Sequence, residues 1–200
     1  MSAQDIYLHL WSAKNDKELE NIAYDFSISP LLRIWTLLKL RKNKEAKALF
    51  VEIIPAGSDA FDDMLYQELK LFFDFSHIRL PELRERLFVI VERFPFSIWA
   101  KIMLAGILGK GQYAYARDLY ASVLEICPSN PYALAGYIRT SLYLRENDKA
   151  LFFLIRLRRT VSSWTLALAE GYIGALFLQP TKLWPADGSL CGCQSGYCSY

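Results

Sequence analysis

Five times along this chain a short polar or glycine-containing turn leads into a run that opens on a small or apolar residue, with a second apolar residue four positions later. Asn15-Asp16-Lys17-Glu18 leads to Leu19 and Ala23, and Asn43-Lys44-Glu45 to Ala46 and Phe50. Leu80-Pro81-Glu82 leads to Leu83 and Leu87, Gly111-Gln112-Tyr113 to Ala116 and Tyr120, and Glu146-Asn147-Asp148-Lys149 to Ala150 and Leu154. The leading residues stand 27, 37, 33 and 34 positions apart in chain order, so the interval drifts at first and then settles. A period near 34 in helix pairs marks a solenoid, because one hairpin cannot bury its own apolar face and stacking supplies the cover.

The runs between the turns have helical periodicity. From Gln112 to Ile126, Tyr113, Ala116, Leu119, Tyr120, Val123 and Leu124 form one stripe that continues to Cys127, with Arg117, Ser122 and Glu125 mostly on other faces. Sustained two-residue alternation and flanked Asn-Gly or Asp-Gly hairpins are missing, so strands are not expected. The pattern predicts helices near 4–13, 17–26, 30–41, 44–54, 59–74, 81–93, 97–108, 112–126, 131–144, 147–160 and 164–178. Pro30, Pro81 and Pro131 fall at helix starts, where the missing N–H costs nothing. Pro55, Pro95 and Pro128 fall just after helix ends, where they stop continuation. The expected class is all-α, an α-α superhelix of antiparallel helix pairs over residues 1–178, with an irregular cysteine-containing tail at 179–200.

Composition narrows the partners. Hydrophobic residues make up 53% of the 200, enough for a sizeable core, while 23 Lys+Arg against 21 Asp+Glu leave a formal charge of only +2. Binding to nucleic acid draws much of its strength from phosphate neutralisation, so this balance argues against it. The N-terminus has an acid, Asp5, where a secretory signal has a basic region, and no long apolar stretch follows. The most apolar stretch, Leu166 to Leu178, is too short to span a bilayer and contains Glu170. A cytoplasmic protein without membrane association is the expectation.

Residues 97–130 resemble a tetratricopeptide repeat. Trp99 stands early in the first helix, Gly111-Gln112-Tyr113 at the turn, Ala116 at the small crossing position, Tyr120 at the aromatic position and Pro128 at the close. Residues 131–164 repeat this with Pro131, Leu134, Tyr137, Asn147, Ala150 and Leu154 but lack the closing proline, and 30–54 and 61–95 look like degenerate copies. The resemblance implies a protein-binding scaffold, similar in this respect to small tetratricopeptide chaperones of bacterial secretion systems. Ala116-Arg117-Asp118-Leu119-Tyr120 also looks like the helix signature of half-a-tetratricopeptide proteins, which bind partners in RNA-processing complexes.

In a solenoid of this kind the first helix of each pair lines the concave face. That register places Ile98, Lys101, Ala105 and Leu108, then Tyr132, Ala135, Arg139 and Leu142, along a groove that Leu166, Ala169, Ile173 and Leu176 would continue. The row is apolar, with Lys101 and Arg139 as isolated positive points, and suits an amphipathic helix or extended apolar segment of a protein partner. A shift of one or two residues would instead make these side chains core. The segment 164–178 is apolar nearly all round and needs cover from the tail, a partner or a second copy in a homodimer.

Other signals point less far. Cys191, Cys193 and Cys198 could bind a thiophilic ion or respond to redox conditions, which gives a second functional reading. A closed zinc site wants four ligands, however, and no histidine is near. Gly106 to Gly111 has the glycines of a phosphate loop but neither its spacing nor its Ser/Thr after Lys110. His9 and His77 lie in different repeats, and Asp62-Asp63 open a helix, where acids complement the dipole. Arg139, Arg145, Lys149, Arg156, Arg158 and Arg159 give residues 139–159 a local positive excess, as a solvated face would. The sequence therefore predicts no catalytic constellation, no cofactor, no metal and no small-molecule substrate.

Overall fold

The computed structural model describes residues 2–12, 16–53, 59–108 and 111–159. These form ten α-helices: α1 (Ala3–Trp11), α2 (Asp16–Tyr24), α3 (Pro30–Lys39), α4 (Asn43–Glu52), α5 (Ala60–Asp74), α6 (Leu80–Arg93), α7 (Ile98–Ile107), α8 (Tyr113–Ile126), α9 (Pro131–Tyr143) and α10 (Asn147–Arg158). A 3-10 turn at Phe75–His77 follows α5, and there is no strand among the described residues. The class is all-α, with consecutive helices packed against each other, the pairing on which an α-α superhelix is built. The expected helix at 164–178, the break at Pro55 and the cysteine tail lie outside the described residues.

The recurring turns become equivalent structures. Leu19, Ala46, Leu83, Ala116 and Ala150 are each the fourth residue of α2, α4, α6, α8 and α10, and all five are buried. Five positions before its anchor, the chain turns left-handed at Arg41 (φ 60°), Gly111 (φ 88°) and Arg145 (φ 61°). Around Arg41 and Arg145 the hydrogen bonds also match. Lys42 N–H donates to the Leu37 carbonyl at 2.9 Å and Glu146 N–H to the Ser141 carbonyl at 2.9 Å. Arg41 and Arg145 N–H donate to the Leu38 and Leu142 carbonyls at 3.1 and 3.0 Å. These are Schellman closures, which satisfy the last carbonyls of α3 and α9 and reverse the chain into the next helix. In the same two hairpins, buried Thr36 and Thr140 donate to the carbonyls of Leu32 and Gly136 four residues earlier, at 2.7 and 2.9 Å. Such bonds satisfy a hydroxyl inside a packed helix face.

The described helices fall into two compact units. Among the described residues the first comprises those up to 100 with 126–130, and the second those of 101–125 and 131–159. In the first, α3 packs against α1, α2, α4 and α5, and α5 also packs against α6. Its core is aromatic: Tyr7, Trp11, Trp35, Phe61, Phe72, Phe96 and Trp99 form a chain of edge-on and tilted contacts with centroids 5.6–6.3 Å apart. Rings in this geometry gain quadrupole attraction beyond the area they bury.

One carboxyl sits inside that core. Glu68 is fully buried and accepts from the Tyr7 hydroxyl at 2.8 Å and the Ser97 hydroxyl at 2.5 Å. Tyr7 in turn accepts from the N–H groups of Ile98 and Trp99 at 3.1 and 3.4 Å, and Ser97 from the N–H of Ala100 at 3.2 Å. The first N–H groups of α7, which no helical partner can reach, are thereby satisfied. The Asn130 amide donates to the Trp11 carbonyl at 3.0 Å, closing the end of α1.

In the second unit α9 and α10 pack along their length. Arg117 on α8 bonds the Glu146 carboxylate at 2.7 Å, which ties α8 to the turn that opens α10. Tyr137 on α9 meets Phe153 on α10 with centroids 4.2 Å apart.

Candidate functional site

The face of α9 is where the structure leaves the expected binding residues open. Tyr132 is 57% exposed, Ala135 is exposed, and Arg139 and Leu142 are half-buried. Their three- and four-residue spacing places them along one side of the helix. Seven others on the helix, Ala133, Leu134, Gly136, Tyr137, Ile138, Thr140 and Ser141, are buried. Amphipathic α9 therefore fixes a rigid row with an aromatic ring at one end and a guanidinium toward the other.

Placement differs for the four residues expected on the preceding helix. Ile98, Lys101, Ala105 and Leu108 are buried, at 0%, 7%, 1% and 8% exposure. These side chains are core, and the accessible positions on the 101–107 stretch of α7 are Ile102, Met103, Gly106 and Ile107. The reason lies in the composition of α7. Ile98-Trp99-Ala100-Lys101-Ile102-Met103-Leu104-Ala105-Gly106-Ile107 has one charged residue in ten, so polarity gives no contrast between its faces. Lys101 is not a positive point on a surface: burial lowers its pKa, against the attraction of Glu125. The continuing row of Leu166, Ala169, Ile173 and Leu176 lies outside the described residues.

Beside Arg139, Ala105, Gly106, Leu108, Tyr113, Thr140 and Tyr143 line a shallow hollow. Tyr113 of α8 and Tyr143 of α9 form one wall, stacked with centroids 4.5 Å apart and planes 6° from parallel. Burial pushes the Tyr143 hydroxyl up to about 12; Tyr113 adds to the rise and Arg139 opposes it. The Arg139 guanidinium donates to the Tyr120 hydroxyl at 3.4 Å, and Tyr120 is itself raised by burial against the pull of Arg139. At neutral pH both phenols are protonated, and the guanidinium is the charge of the hollow.

The position of Arg139 depends on a glycine that periodicity did not single out. A Cβ on Gly136 would stand 2.2 Å from Cζ of Tyr120, so the α9 backbone reaches that ring only because residue 136 has no side chain. A glycine inside an otherwise helical apolar run is the sequence signal for such an approach. Gly106, Tyr113, Thr140 and Tyr143 were also missed as lining residues; nothing in a single helix's pattern groups them.

The remaining chemical candidates fall apart in space or are structural. His9 pairs with Glu18 at 3.0 Å, and His77 ends the 3-10 turn. Asp62 and Asp63 lie in the first turn of α5, and Asp63 accepts from Arg93 at 2.6 Å. Cys191, Cys193 and Cys198 lie outside the described residues. No described helix is long and apolar enough to cross a membrane. No model of a known protein family matches the chain, and no curated protein or solved structure matches it either.

Proposed function

We propose that the chain is a protein-interaction scaffold of tetratricopeptide type, acting as an adaptor or chaperone-like module. The α9 face would hold an apolar segment or amphipathic helix of a protein partner. The observation that carries this reading is the row Tyr132–Ala135–Arg139–Leu142, open along one side of a helix whose opposite side is locked into the core. A rigid helix face offers a partner helix aliphatic and aromatic contact at three- and four-residue spacing, with little ordering cost on the scaffold's side. Arg139 favours a partner with an acidic group near its apolar stripe. The equivalent buried anchors support the repeat reading, because a repeat protein builds binding surface from elements whose buried sides are interchangeable.

A photo-crosslinking amino acid placed at Tyr132 or Ala135, followed by identification of the captured segment, tests the proposal. Arg139→Glu combined with Tyr132→Ala should abolish capture while leaving the helical circular dichroism intact. Arg84→Ala with Glu85→Ala, on the exposed side of α6, should leave capture unchanged. Equal capture by both pairs would place binding elsewhere.

A further inference from the structure

At the two positions after its anchor, α10 departs from every other second helix. The two positions after the anchor are Glu20 and Asn21 in α2, Lys47 and Ala48 in α4, Arg84 and Glu85 in α6, and Arg117 and Asp118 in α8. In α10 they are Leu151 and Phe152, 59% and 63% exposed, and Ile155 beside them is 48% exposed. Solvent cannot be the preferred neighbour of such a cluster.

The ends of the same stripe say what covers it. At about 100° per residue, exposed Asp148 shares the side of Leu151, Phe152 and Ile155, and so do exposed Arg158 and Arg159. Arg156, four residues after Phe152, flanks the basic end, while Lys149 lies off the stripe. The stripe thus reads acid, apolar, base along its length. Turned end for end against itself, it sets Asp148 of each copy against Arg159 of the other and Phe152 against Ile155, with the two helix dipoles opposed. We infer that α10 is a self-complementary surface on which a second copy of this chain docks antiparallel about a two-fold axis. An anionic lipid surface fits less well, because Asp148 on the same stripe would face it.

Sedimentation equilibrium of the full chain tests this. The wild type should show a dimer mass at about 50 µM. Phe152→Glu and Ile155→Glu should each weaken dimerisation by about thirtyfold or more, as loss of a central apolar anchor does. Asp148→Arg should weaken it about tenfold, and adding Arg159→Asp should restore it, since the swap rebuilds both pairs. The rescue also separates a lost interface from a damaged fold. A monomer at that concentration, or a dimer indifferent to Phe152→Glu, would overturn the inference. So would a monomer carried down by phosphatidylserine vesicles through the same residues.

Discussion

The ring of Tyr120 covers the α9 backbone at Gly136 so closely that a methyl group there would overlap its Cζ, at 2.2 Å. This contact sets the crossing of α8 and α9, and with it the place of Arg139, which reaches the Tyr120 hydroxyl at 3.4 Å. Gly136→Ala should therefore destabilise the chain by about 1–3 kcal/mol through overpacking, even though alanine is the better helix former by about 1 kcal/mol. In a Tyr120→Ala background the same change should become neutral or stabilising. Urea denaturation of the four chains measures this. Additive effects would mean that the ring and the glycine do not meet.

The buried anchors predict a second set of stabilities. Ala116→Leu and Ala150→Leu each force two methyl groups and a branch into a closed crossing and should cost about 1–3 kcal/mol. Ala114→Leu, on the exposed side of α8, should stay within about 0.5 kcal/mol of the wild type. Similar midpoints for all three would remove the anchors' special standing.

Glu68 and Lys39 make stability depend on pH in opposite senses. Burial raises Glu68 from 4.5 to about 8, although hydrogen bonds from Ser97 and Tyr7 draw it down. Between those values the folded chain keeps a proton that the unfolded chain has lost. The contribution is therefore complete below about pH 4.5 and lost as pH rises through 8, on the order of a few kcal/mol. Lys39, its ammonium 3.9 Å from the Trp11 ring centre, is lowered by burial from 10.5 to about 8, against the attraction of Cys127. Between 8 and 10.5 the unfolded chain holds the extra proton, so stability from this group rises with pH. Chemical denaturation across pH should show stability falling toward pH 8 and recovering above it. Glu68→Gln should flatten the acid-side slope; if that slope persists in the variant, the carboxyl is not its source.

The left-handed turns carry strain where they lack glycine. Arg145, at φ 61°, holds a conformation that costs an L-residue about 1–2 kcal/mol, partly offset in a comparison with glycine by the latter's freer unfolded chain. Arg145→Gly should raise stability by about 0.5–1 kcal/mol, and Gly111→Ala, at φ 88°, should lower it by about 1 kcal/mol. Thermal melts of both variants check the pair of signs. A loss on Arg145→Gly would mean that the arginine side chain matters more than its backbone.

Much of this fold was legible in the residues. Asn43 and Asn147 after their polar turns, the prolines at 30, 81 and 131, and the stripe from Tyr113 to Cys127 mark helix starts, ends and buried faces by local chemistry alone. The repeat register also put Tyr132, Ala135, Arg139 and Leu142 on one side of α9, and none of the four is buried.

By itself, then, the sequence determined the ten described helices, where the turns between them fall and the residue on which each second helix anchors. These depend on backbone preference and on contrast between faces within a few residues. Tertiary structure decided which side of α7 turns inward, because nine of that helix's ten side chains are uncharged and only packing distinguishes them. It also decided that Tyr7, Glu68 and Ser97 meet in one buried knot. Their partnership spans 61 and 29 residues of chain, and no local pattern records which distant hydroxyls will satisfy a carboxyl once water has left it.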